Sequence, residues 1–259
     1  MPETTLPVRP GNVSLLNLPG SLSPGALDLV KCLALVAMLG DHINTLFLAA
    51  PRPELYAFGR MAFPLFAMIW AVNVHRPGAT LQQRATRSWL WALATQPVFN
   101  LAFHGHMPGY ALNILFVFAG VTQLLALQHR YGRNGAIAGT LLLACLVWPL
   151  TPASYGIQGL VLVLVTGLYW QPGLAHRRPL TGLLMAIALV TLNGMSLLVR
   201  WLGATLVMAV LPTILLPFCA LTAAESLARF CPSRFMPRHF FWLAYAGHLL
   251  VLGLVRLAL

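Results

Sequence analysis

Carboxylates are almost absent from this chain: among 259 residues there are five, Glu3, Asp28, Asp41, Glu54 and Glu225. Charged residues of both signs make up 8% of it, against about a quarter in a soluble domain. With 59% hydrophobic side chains there is not enough polar surface to face water all round. An ordinary cytosolic enzyme, a disordered chain and a secreted disulfide scaffold are thereby excluded, and a polytopic membrane protein remains. Strict two-residue alternation is missing, which argues against a β-barrel. Unpaired backbone is costly in lipid, so the expected fold is all-α, a bundle of transmembrane helices.

Apolar stretches predict eight to ten spans. The best division gives nine, at residues 26–48, 55–74, 85–103, 110–128, 135–150, 156–171, 179–194, 203–228 and 238–257. Residues 1–24, interrupted by Pro2, Pro7, Pro10 and Pro19, lack a signal-peptide pattern and read as a flexible cytoplasmic tail. Residues 25–259 read as one transmembrane domain, with the motifs concentrated in 25–128.

The net charge of +11 follows the spans. Arg76, Arg84 and Arg87 lie between spans 2 and 3, Arg130 and Arg133 between 4 and 5, Arg177 and Arg178 between 6 and 7, and Arg229, Arg234 and Arg238 between 8 and 9. The alternate connections hold only Arg52 and Arg200. The positive-inside rule then gives a cytoplasmic N-terminus, and the charge needs no nucleic acid to explain it. Trp89 and Trp91 are expected at the inner interface, Trp148 and Trp201 at the outer one. Cys32, Cys145, Cys219 and Cys231 form no CxxC pair and are expected as small buried side chains. His104 and His106 have no evident third ligand, so no metal is predicted. Glu225 and Arg229, four apart, are expected to pair at a helix end.

Polar residues within spans narrow the search. Asp28 and Lys31, three apart on one helix face, are expected to pair near the inner surface. Asp41 lies roughly 20 Å further along the same helix, where a charge must face the bundle and have a partner. Span 2 offers one at matching depth, Arg60 in Gly59-Arg60-Met61-Ala62-Phe63-Pro64, and an Asp41–Arg60 contact is predicted. Pro64 has no N–H for the Arg60 carbonyl, so a kink that opens a polar pocket is expected there. An ion pair that merely locks spans 1 and 2 is the alternative. Gln96 and Asn100 in span 3 and Asn113 in span 4 fall at similar depth, where amides also serve as glue between helices. His248, in the middle of span 9, reads as a packing residue.

The combination Leu-Gly-Asp-His-Ile in span 1, Gly-Arg-Met-Ala-Phe-Pro-Leu-Phe in span 2, Gln-Pro in span 3 and Leu-Asn-Ile-Leu-Phe in span 4 resembles the TraX family, over about residues 25–127. That family, which includes TrbP-type members, comprises inner-membrane proteins of conjugative pilus assembly linked to N-terminal acetylation of pilin. It also looks like part of a wider group of multi-span membrane acyltransferases.

The resemblance implies an acetyl-CoA donor, a pilin acceptor, contact with other pilus-assembly proteins and a bacterial inner-membrane location. It also gives the polar residues roles. Acyl transfer needs a base near the nucleophile and positive charge near the developing oxyanion. His42 is the expected base, Asp41 orients Arg60 or His42, and Arg60 or Asn113 donates to the carbonyl oxygen. Gln96, Asn100 and Asn113 are the expected substrate contacts. Arg84, Arg87, Arg130 and Arg133 are placed to hold the donor's phosphates. Two other readings stand beside it: a non-catalytic pilin assembly factor, and a proton-coupled transporter using Asp41 and His42 as a relay.

Overall fold

The computed structural model describes residues 22–171, 173–193, 202–228, 230, 233–237 and 239–259. Most of the expected N-terminal tail, Arg200 and Trp201, Arg229, Cys231 and Arg238 lie outside these residues, and the Glu225–Arg229 pair with them. Apart from an isolated β-bridge between His104 and Met107, every regular element among the described residues is helical.

The elements are α1 (Pro24–Leu46), α2 (Pro53–Gly59), α3 (Ala62–Val74), α4 (Leu81–Ala102), α5 (Leu115–Leu150), α6 (Gly156–Tyr169), α7 (Arg178–Thr191), α8 (Leu202–Thr205), a π-helical turn Leu206–Val210, α9 (Leu211–Ala228) and α10 (Phe240–Ala258). Ser23 caps α1 through Ala26 N–H, and Thr80 with Gln83 forms a capping box at α4.

The all-α expectation holds, but the count of about nine spans does not. Among the described residues, four helices are long and apolar enough to cross a membrane by length and composition: Pro53–Val74, Leu115–Leu150, Gly203–Leu227 and Phe240–Ala258. Expected spans 6 and 7 are helices of 14 residues each, about 21 Å at the helical rise and short of the roughly 30 Å hydrocarbon thickness. Expected spans 4 and 5 are one element, α5, which leaves helical geometry at Gly132 (φ 58°, ψ −131°). There it doubles back. A Cβ at Gly139 would lie 2.8 Å from Leu124 Cα, so only glycine lets the two arms approach so closely. The remaining long helices, α1 and α4, carry Asp28, Lys31 and Asp41, and Arg84 and Arg87.

α1 packs against α2, α3 and α9, α4 against α5 and α10, and α6 against α3, α5 and α7. The interior is filled by residues such as Leu27, Val30, Leu65, Met68, Val117, Leu162 and Leu249. Outward faces of α7, α9 and α10 expose Leu183, Ile187, Leu215, Val251 and Leu254, an apolar exterior that suits lipid. The chain is a helical membrane protein. Among the cysteines, Cys145 and Cys219 are exposed and Cys32 half-buried, against the expectation of burial. Trp148 stacks on Tyr110 at 4.1 Å, and Trp91 on Trp242 at 5.9 Å.

Candidate functional site

The helix of the second apolar stretch breaks where Pro64 removes a donor, and Arg60 stands at the break between α2 and α3. Its backbone N–H bonds to Ala57 and Tyr56 carbonyls, and its side chain folds back so that Nε donates to Tyr56 O at 3.3 Å. Arg60 Nη2 lies 2.7 Å from both Asp41 Oδ1 and Asp41 Oδ2, the contact expected from matched depth. Arg60 Nη1 donates to Tyr155 OH at 3.2 Å and Asn193 Oδ1 at 3.4 Å. The guanidinium also sits 4.2 Å from the Tyr56 ring centroid, a cation–π contact. The ion pair is largely enclosed, with the Arg60 side chain 11% and the Asp41 side chain 22% exposed.

This closeness depends on Gly59. A Cβ there would stand 2.5 Å from Asp41 Cβ and 2.8 Å from its Cγ, so α2 meets α1 only because the residue before Arg60 has no side chain.

His42 belongs to a second pair. Its Nδ1 is 3.0 Å from His248 Nε2, and the rings stack 5.2 Å apart at 15°. Phe103 closes edge-on over His42 at 5.1 Å. His248 Nδ1 is 3.1 Å from the carbonyl of Ala244. A carbonyl only accepts, so neutral His248 carries its proton on Nδ1 and has a lone pair on Nε2. His42 must then donate from Nδ1. This leaves Nε2 of His42 as the basic nitrogen, with no hydrogen-bond partner among the described residues.

Asp41, His42, Arg60, Tyr56, Tyr155, Asn193 and Tyr245 line one cavity of about 640 Å³, with Met107 and residues 151–153 of the connecting loops at its edge. Tyr155 is held there under strain. It is a non-glycine residue at positive φ (64°), followed by Gly156 at 50°, and its ring stacks on Phe63 at 4.9 Å. Left-handed conformations of bulky residues persist only where surroundings enforce them, and they gather at functional sites.

The three expected amides gather elsewhere. Gln96 Oε1 accepts from Asn113 N–H and Nδ2, Gln96 Nε2 donates to Asn100 Oδ1 and Ala111 O, and Asn113 Oδ1 accepts Leu115 N–H at the start of α5. Asn113 is fully buried, and none of the three lines the Asp41–His42–Arg60 cavity. Their geometry is that of a joint between α4 and α5.

The four expected phosphate-binding arginines divide. Arg84 and Arg87 line a second cavity near the ends of α3 and α4, while Arg130 and Arg133 project from the bend of α5 and are absent from its lining. Sequence reasoning did not find Tyr56, Tyr155 and Asn193 around Arg60. His248 it read as packing, although a histidine in mid-span is itself a signal.

A family model described as TraX protein matches residues 26–256. A relative named Protein TraX from Escherichia coli is 39% identical over 237 residues, covering 91% of this chain and 89% of the relative. Another Protein TraX, from Escherichia coli strain K12, is 37% identical over 238 residues with the same coverage, 91% and 89%. No solved structure matches.

Proposed function

Because the chain belongs to the TraX family, we propose that it is an inner-membrane acetyltransferase that N-acetylates a conjugative pilin subunit from acetyl-CoA, with its N-terminus in the cytoplasm. In this reading it supports pilus assembly and conjugal transfer alongside other assembly proteins and binds no nucleic acid. The family resemblance supplies the reaction. One observation supports its placement: His42, whose lone-pair nitrogen is fixed by the His42–His248–Ala244 chain, lines a cavity that Arg60 also lines.

His42 Nε2 removes a proton from the pilin amine as its nitrogen bonds to the thioester carbonyl carbon. The C–S bond breaks and His42 returns the proton to the departing sulfur, giving an acetamide and a free thiol. His248 Nε2 keeps accepting from His42 Nδ1 throughout and stabilises the imidazolium. Arg60 supplies positive charge for the carbonyl oxygen. The bonds from Nη1 to Tyr155 and Asn193 go to neutral acceptors and are longer than those to Asp41, so they are the ones most readily exchanged for a developing oxyanion. Asp41 holds Nη2 and so fixes the direction of the fork.

The test is the intact mass of the cognate pilin, co-expressed with this chain or with His42→Gln. The mass of one acetyl group should appear with the parent and vanish with the variant at equal membrane levels. Unmodified pilin in both refutes the reading. The full set of acceptors around Arg60 favours a second one, a non-catalytic assembly factor whose ion pair is structural. Pilus formation that survives His42→Gln with unmodified pilin would establish it.

A further inference from the structure

The cavity beside Arg84 and Arg87 holds about 440 Å³, and its lining includes Lys31, Arg76, Arg84, Arg87 and Arg234 but no carboxylate. A topological charge bias puts arginines on one membrane face. It gives no reason for five cations from three separate parts of the chain to converge on one hollow, where they repel one another. The convergence is built. Asp28, fully buried, accepts from Lys31 Nζ through Oδ1 at 2.8 Å. Its Oδ2 accepts the N–H groups of Phe235 at 3.2 Å and Met236 at 2.9 Å. One carboxylate therefore fastens the segment that carries Arg234 onto α1. Arg84 is anchored by the carbonyls of Arg76 and Ala79. Among the described residues the ion pairs are Lys31–Asp28 and Arg60–Asp41, so the four arginines face the cavity without a carboxylate of their own.

Phe66 lines this cavity and also the His42 cavity. Its ring lies 5.0 Å from that of Phe241, edge to face, and Phe241 lines the inner cavity.

We infer that the inner cavity binds the diphosphate-bearing end of a soluble donor, and that Phe66 with Phe241 is the partition that a narrow unbranched arm passes to reach His42. The second half rests on the acetyl-transfer reading given above; the first does not. Several guanidinium groups without carboxylates match a diphosphate in charge and in planar hydrogen-bonding geometry. The volume lies within the usual range for small-molecule sites.

The full chain, in zwitterionic nanodiscs, is titrated calorimetrically with coenzyme A and with inorganic pyrophosphate, and the titrations are repeated in nanodiscs containing phosphatidylglycerol. Pyrophosphate should compete with coenzyme A, and affinity should fall as salt rises. Arg87→Gln and Arg234→Gln, both at exposed positions, should each weaken coenzyme A binding by about tenfold, and Arg87→Lys by less. Arg177→Gln, outside the cavity, should bind as the parent does. Phe66→Trp should retain binding and lose transfer to pilin.

Unchanged affinity in both glutamine variants overturns the inference. So does abolition of coenzyme A binding by phosphatidylglycerol with no competition from pyrophosphate, which would make the hollow a lipid-headgroup site. Arginine-dependent binding of coenzyme A with pilin mass unchanged would sustain the cavity assignment while refuting the acetyltransferase reading.

Discussion

Replacing Gly59 with alanine inserts one methyl group at the closest approach of α1 and α2. The new carbon would sit 2.5 Å from Asp41 Cβ and 2.8 Å from Asp41 Oδ1. Carbon atoms prefer about 3.5–4.0 Å, so the backbones must part by roughly 1 Å or Asp41 must turn away. Either movement stretches the 2.7 Å contacts to Arg60, the next residue in the chain. Overpacking alone costs about 1–3 kcal/mol. Weakening a largely enclosed ion pair adds to that, for a total of about 2–4 kcal/mol. Gly40, on α1 next to Asp41, provides the contrast. A Cβ there would meet only Leu55 at 3.9 Å and Phe58 at 4.0 Å, which is ordinary contact. Gly40→Ala should therefore be neutral or gain up to about 1 kcal/mol from helix propensity. Thermal melting of both variants in one detergent, with pilin mass as the activity readout, makes the comparison. Gly59→Ala should melt below the parent and Gly40→Ala at or above it. A Gly59→Ala protein that melts with the parent and acetylates pilin at the parental rate would refute the account of how Asp41 and Arg60 are brought together.

Other substitutions probe the remaining parts of the site. His248→Ala should slow acetylation by about ten- to hundredfold, the range for losing an orienting partner, while pilin still co-purifies; His248→Gln, whose amide oxygen can accept from His42 Nδ1, should recover part of the rate. Asp41→Asn should destabilise by about 3 kcal/mol, because it leaves the Arg60 charge enclosed without its counter-charge. The double replacement Asp41→Leu with Arg60→Leu should melt higher than Asp41→Asn yet transfer no acetyl group, which a purely structural pair would not predict for transfer. Tyr155→Phe should cost about 1 kcal/mol in melting and lower turnover only modestly, since one neutral hydrogen bond to Arg60 is lost.

The legible parts of this molecule share a cause. Asp41 and Arg60 were placed together because depth in a membrane can be counted from a helix end, at a fixed rise per residue, and because a charge at that depth requires a partner. An irregularity at Arg60 was legible because Pro64 acts on its own chain, four residues away, although the expected kink is a full break between α2 and α3. Asp28 and Lys31 were legible as a pair for the same local reason. What that reasoning could not supply was azimuth. It gave Gln96, Asn100 and Asn113 the depth of the site, but they turn toward one another at the α4–α5 joint. Their amides complete each other's hydrogen bonds and the first turn of α5.

Span number failed for a related reason. Hydropathy records that a stretch avoids water, without recording whether lipid or protein replaces it. α6 and α7 are apolar enough to read as spans, yet each has 14 residues, with Gly156 and Pro179 inside their first turns. Gly159, Leu160 and Val163 of α6 are buried against other helices.

The hardest feature to read was the one on which the proposed chemistry turns. His42 and His248 are 206 positions apart, and neither belongs to a motif that names the other. Only the carbonyl of Ala244, one helical turn before His248, decides which nitrogen of His42 keeps a lone pair. A sequence shows two histidines in apolar helices. The direction of the hydrogen bond between them comes from a backbone acceptor that every residue carries, and its meaning here depends on α10 lying against α4 and α1.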